Sequence, residues 1–150
     1  MASYGTVDSR EVYVVFLIAG KEYGIAIECV SSILNPLGDY LLSEHITIGT
    51  DSIKIGGGEI PIISFHELNN IKPPLHSQRT RIIIANSDDF KAAFYVDQIK
   101  DFISSDTKNF FNKESISITE QPYTKWKIVY DDRYILIPDF DKILTNVKRN

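Results

Sequence analysis

The longest unbroken apolar run in this chain is Val12–Ala19, and the other apolar runs are shorter. Runs of that length read as strands, far short of the roughly 20 residues that span a bilayer. In Val12–Ala19 both alternating sets of side chains are apolar, which predicts a strand covered on both faces. Gly20-Lys21 then turns the chain into Glu22–Ile27, a first hairpin. Ile46–Ile55 is a second hairpin candidate, and Ile60–Phe65 a further strand in which Pro61 lacks a donor and belongs at an edge or bulge.

The same rhythm continues to the end. Arg81–Ala85 and Phe90–Asp97 flank a polar turn at Asn86–Asp89, and Trp126–Tyr130 and Arg133–Pro138 flank Asp131-Asp132. Three pieces read differently. Val30, Ile33 and Leu34 share one face at helical spacing before Pro36, His66–Asn70 suggests a single helical turn, and Ser104–Glu114 is polar. A terminal helix begins at Asp139, which can cap it, with Ile143, Leu144 and Val147 as its apolar stripe and Lys148 and Arg149 at its negative end. Lys72-Pro73-Pro74-Leu75-His76-Ser77 is the one clear linker. Short strands with turn signals about every ten residues imply small β-barrels rather than a parallel sheet. The prolines near the midpoint suggest two of them.

A length of 150 residues suits one domain or a pair of interlocked subdomains. With 43% hydrophobic and 24% charged residues the composition is globular. A net charge of −4 with scattered lysines and arginines gives no sign of a nucleic-acid partner. Cys29 stands alone, so no disulfide forms within the chain, which fits a reducing cytoplasm. The first ten residues lack a signal-peptide pattern, so no direct membrane insertion is expected.

Reactive constellations are hard to assemble. His45, His66 and His76 are the only histidines, and His66-Glu67 lacks the spacing of paired metal ligands, so His66 reads as a surface histidine. Ser64, His66 and Asp97 can be drawn as a triad on paper, but no Gly-x-Ser-x-Gly elbow accompanies them. Asp88-Asp89 and Asp131-Asp132 fall where hairpins turn, and Trp126, Tyr130 and Tyr134 alternate along strands as cross-strand aromatics do. Gly56-Gly57-Gly58 is the last candidate. A phosphate loop needs a following Lys-Ser/Thr and a helix; here Glu59 and a strand follow, so these glycines make a turn. Neither catalytic residues, a metal nor a cofactor is expected.

The order of these pieces resembles the CheW-like domain family, the coupling modules of bacterial chemotaxis arrays. The likeness rests on Phe16–Ile25, Val30–Leu34, Gly57 with Ile60–Ile63, Thr80–Ile84, Tyr95–Asp97 and Asp132–Leu144. It implies a mainly β fold: two five-stranded SH3-like barrel subdomains packed together, with short helices including a C-terminal one. The expected layout is a tail at 1–10, one domain at 11–147 and a tail at 148–150. The resemblance further implies a cytoplasmic, non-catalytic adaptor that is recruited to membrane receptor arrays. Its partners would be the regulatory domain of the histidine kinase CheA and the cytoplasmic tip of chemoreceptors. A pilus or developmental signalling pathway is the alternative setting. Partner-binding positions carried over are Val30, Ser32, Ile33, Ile53, Gly56 and Gly57. The family's usual arginine is replaced by Gly56 and its usual acidic residue by Ser32, and Asn35–Ile55 matches poorly. This marks a divergent member.

Overall fold

A computed structural model describes residues 10–38, 45–87, 90–105, 111–115 and 123–149, with side chains up to 144. The N-terminal tail at 1–9, the Asp88-Asp89 turn, residues 106–110 of the polar stretch, and the side chains of Val147, Lys148 and Arg149 lie outside the described residues. The described part is mainly β. Its strands are β1 (Val12–Ile18), β2 (Lys21–Ala26), β3 (Val30–Leu34), β4 (Ile46–Ile48), β5 (Ser52–Ile55), β6 (Gly58–Pro61), β7 (Arg81–Ser87), β8 (Phe90–Val96), β9 (Gln98–Ser104), β10 (Phe111–Ser115), β11 (Thr124–Tyr130) and β12 (Arg133–Pro138). Two α-helices, α1 (Phe65–Leu68) and α2 (Phe140–Arg149), and a 3-10 turn at Ile27–Cys29 complete it.

The strands form a six-stranded sheet in the order β10-β11-β12-β2-β1-β9 and two three-stranded sheets, β3-β7-β8 and β4-β5-β6. Two closed five-stranded barrels are therefore not what the hydrogen-bond ladders make. The expected helical turn at Val30–Leu34 is instead β3, paired with β7, and β9 and β10 are strands that sequence patterning did not single out. Pro61 ends β6 at the edge of its sheet, as a residue without a donor must. Beyond it an isolated parallel bridge pairs Ile62 with Ala93 of β8.

Alternation along β1 explains how the layers stack. Val14, Phe16 and Ile18 point into one core with Tyr23 and Ile25, while Tyr13 and Val15 point into another with Ile103, Ile128, Ile135 and Ile137. The sheet β3-β7-β8 repeats the device. Ile83, Ala85, Phe94 and Val96 face the first core, whereas Ile82, Ile84 and Ala93 face a third, shared with Leu34 and Ile53. One central core thus lies between two β halves, each wrapped on a core of its own. Rings dominate the centre: Phe65 lies 5.2 Å edge-on from Tyr23, 5.9 Å from Phe16 and 5.5 Å from Phe94. Each such buried side chain contributes on the order of 1.5–3 kcal/mol.

The turns follow sequence chemistry closely. Ile18 pairs with Lys21, so the first hairpin turns on Ala19-Gly20, one residue earlier than read from sequence, with φ of 51° and 82°. Positive φ at both central residues is the type I′ arrangement. Ile55 pairs with Gly58, so Gly56-Gly57 is the second turn, with Gly56 at φ 57°. Ser64 caps α1 by accepting from Glu67 N–H, and Asp139 caps α2 by accepting from Lys142 N–H at 3.1 Å.

Candidate functional site: an apolar groove between two sheets

β3 is the edge of its sheet, and its register slips between Val30, opposite Ala85, and Ser32, opposite Ile84. The slip leaves Ser31 as the extra residue of a bulge, and bulges re-aim side chains at sheet rims. Val30 and Ile33 turn inward as half-buried neighbours of the central core, while Ser31 and Ser32 stay exposed. The β5–β6 hairpin stands on the far side. Together the two edges enclose a groove of about 540 Å³, with Ser32, Ile55, Ile60, Ile84 and Phe90 among its walls. Glu59 and Lys91 also line it and carry opposite charges. Such a surface offers burial of apolar area and a few hydroxyl and backbone groups, the means by which one protein holds another.

The six expected partner-binding residues divide. Ser32 lies in the groove wall, and Gly56 and Gly57 form the exposed turn that leads into Gly58 of the same wall. A Cβ at Gly56 or Gly57 would meet nothing within 4 Å, so the turn projects freely. Val30 and Ile33 sit beneath it on the inner face. Ile53 is a correction: it is 0% exposed, within the outer core with Leu34, Ile82 and Ile84. β5 is the middle strand of its sheet, so its inward side chains have strands on both sides and no route to a partner.

Elsewhere the structure revises the histidine reading. His66 is buried, not on the surface, and its Nε2 lies 2.7 Å from Asp97 Oδ1. Asp97 Oδ2 also accepts from Ala19 N–H at 2.7 Å. The carboxylate therefore ties α1 to the β1–β2 turn and to the β8–β9 corner. The paper triad is half assembled, but Ser64 spends its hydroxyl oxygen on the α1 cap and no Ser64–His66 bond occurs among the described residues. The arrangement reads as a structural tie. The sequence offered His66 with Asp97 only as part of a paper triad, because nothing in a separation of 31 residues marks the two as a structural pair.

The remaining charged and aromatic groups also brace strands. Arg133 of β12 donates to both Asp101 oxygens at 2.9 Å and to Glu22 at 2.8 Å, joining β12, β9 and β2. The paired Asp101 carboxylate, then Glu22, push the guanidinium further above its ordinary range against some burial. Trp126 and Tyr130 pack on the six-stranded sheet's own core, and Tyr134 is exposed beneath Lys127. Cys29 lies half-buried against the central core, and burial, then Glu28, raises its thiol. No group of three or more metal-binding side chains occurs among the described residues. No helix among them is long and apolar enough to cross a membrane.

Three cores and an apolar, sparsely charged groove complete the geometry of this mainly β molecule. The chain belongs to the CheW-like domain family, whose model matches residues 12–148. Among solved structures it is similar to the scaffolding protein TtCheW from Thermoanaerobacter tengcongensis, at 22% identity. That match covers 89% of this chain and 86% of the other with a TM-score of 0.69, a likeness of fold. Comparison with curated proteins gives no match.

Proposed function

We propose that this chain is a non-catalytic adaptor that couples chemoreceptors to the histidine kinase CheA. Membership of a family of scaffolding modules supports this reading, and the observation that carries it is the groove between β3 and β6. It has apolar walls, with hydroxyls and backbone at its edge. On this reading residues 11–147 act as one domain. The six-stranded sheet and the two small sheets would serve as its two barrel-like subdomains, braced by the central core. The regulatory domain of CheA would dock on a sheet surface around Ser32, Gly56 and Gly57, and a receptor's cytoplasmic tip against the junction of the two halves near Val30 and Ile33. The protein would work in the cytoplasm, drawn to receptor arrays by its partners.

Purified chain titrated by calorimetry with CheA's regulatory domain, and separately with a receptor cytoplasmic fragment, tests the proposal. Saturable binding to either is expected. Binding to neither overturns it. Gly56 and Ser32 replace an arginine and an acidic residue usual in the family, so binding to a kinase or receptor of a pilus or developmental pathway alone would favour the alternative setting.

A further inference from the structure

A second cavity, of about 580 Å³, shares no lining residue with the groove. It lies where α1, the end of β8, the β4–β5 turn and the proline linker meet. Two features distinguish it. First, its lining includes three carboxylates, Asp51, Glu67 and Asp97, and no lysine or arginine. Asp97 is spent on His66 and Ala19. Asp51 and Glu67 are exposed and have no cationic partner among the described residues. Second, Tyr95 and His76 stack in its wall at 4.4 Å, with an interplanar angle of 23°, beside Pro73 and Pro74. The side chain of His66, only 4% exposed, also lines the cavity, and its Nδ1 has no partner among the described residues. A buried ring nitrogen of this kind calls for a polar group from elsewhere.

Carboxylates attract a cation, stacked rings and prolines cover a flat or apolar body, and a buried ring nitrogen without a partner takes a polar group. Together these requirements describe one ligand chemistry. We infer that this cavity binds a small organic cation, a protonated amine or guanidinium on a short or flat apolar stem. Asp51 and Glu67 hold the charge and the Tyr95–His76 pair covers the stem. The bound group could be a free metabolite or a basic side chain of a protein, and the chemistry is the same for both.

Titration of the isotope-labelled full chain with tyramine, followed by amide NMR, provides the test. Saturable shifts are expected at Thr50, Asp51, Glu67 and Tyr95, with a dissociation constant of about millimolar order for so small a molecule. Tyrosol, which has an alcohol in place of the amine, should bind at least about fivefold more weakly. The double variant Asp51→Asn/Glu67→Gln should lose about tenfold in tyramine affinity while keeping its melting temperature, because both carboxylates are exposed. n-Butylguanidine and N-acetylarginine amide, each carrying a single positive charge, form the second arm. Tighter n-butylguanidine binding supports a free small molecule, and tighter binding of the blocked arginine supports a basic side chain. Absence of saturable shifts with any of the cations, equal binding of tyrosol and tyramine, or an unaffected double variant overturns the inference. The groove proposal survives any of these results, since the two sites share no residue.

Discussion

Gly24 sits in the middle of β2, where glycine is usually a weakness, and the reason lies on the face it turns to the sheet's own core. A Cβ there would come within 2.9 Å of Ile137 Cδ1 and 3.2 Å of Ile135 Cγ2. Gly24→Ala gains a few tenths of a kcal/mol or more from a less flexible unfolded chain, and overpacking costs about 1–3 kcal/mol. The net expectation is a loss of about 1 kcal/mol, seen as a melting temperature lower by about 2–4 °C. An unchanged melt would mean that Ile137 swings aside freely. Tyrosines set a second expectation. Burial, followed by the hydrogen bond to Glu11, pushes Tyr13 above its ordinary value near 10, and burial raises Tyr23 and Tyr95 as well. These groups keep their protons in the fold after the unfolded chain has lost them. Stability is therefore full below pH 10 and declines as pH rises beyond it. Urea midpoints between pH 8 and 11.5 should show that decline, and Tyr13→Phe should make it shallower; a parallel curve would remove Tyr13 from the account. Single residues were legible in the sequence where their role was local, as with Pro61, Asp139 and Gly56. His66 and Ile53 were not, because one is defined by Asp97 across the fold and the other by strands on either side of β5.

At the scale of elements, hairpins could be read and bulged strands could not. β1 with β2 and β11 with β12 each carry an alternating or fully apolar pattern around a two-residue turn, and between β5 and β6 only the glycine turn was legible. In β9 the register slips, since Val15 faces Asp101 while Phe16 faces Ile99, and the extra residue breaks the alternation of Ile99, Phe102 and Ile103. β3 failed for the same reason: its bulge puts Val30 and Ile33 on one face three residues apart, which mimics helical spacing. What sequence pattern leaves loose, Arg133 ties. It spans β12, β2 and β9, the last of these an edge strand whose ladder, among the described residues, runs to β1. The groups are only partly buried, so Arg133→Ala should cost about 1–2 kcal/mol rather than the larger penalty of a fully buried pair. Arg133→Lys should fall between, because an ammonium cannot make the two parallel bonds to Asp101. A double-mutant cycle with Asp101→Asn should return a coupling of about 0.5 kcal/mol or more. Additivity would show the contact to be incidental.

For the whole molecule, three cores in series mean that surface and interior are separated by single strands. Ser32 and Ile53 illustrate the division. Ile53→Asp places a carboxylate in the outer core and should cost at least about 3 kcal/mol, enough to endanger a fold whose total stability is of order 5–15 kcal/mol. Ser32→Glu restores the family's charge on an exposed site and should leave the melt unchanged while altering partner binding. The Gly56-Gly57 turn adds a finer distinction. Gly56 has positive φ, where any side chain is strained by roughly 1–2 kcal/mol, whereas Gly57 does not. Both point into open space. Gly56→Arg should therefore lower stability by about 1 kcal/mol and yet strengthen binding to CheA's regulatory domain or to a receptor fragment, if that turn is the docking edge. Gly57→Arg supplies the same charge one residue along without the backbone strain, so it separates lost stability from gained contact. Calorimetric titration of both variants, read beside their melting curves, decides the matter. Affinities equal to the parent's in both would show that this molecule holds its partners elsewhere, and the groove between β3 and β6 would lose its assigned role.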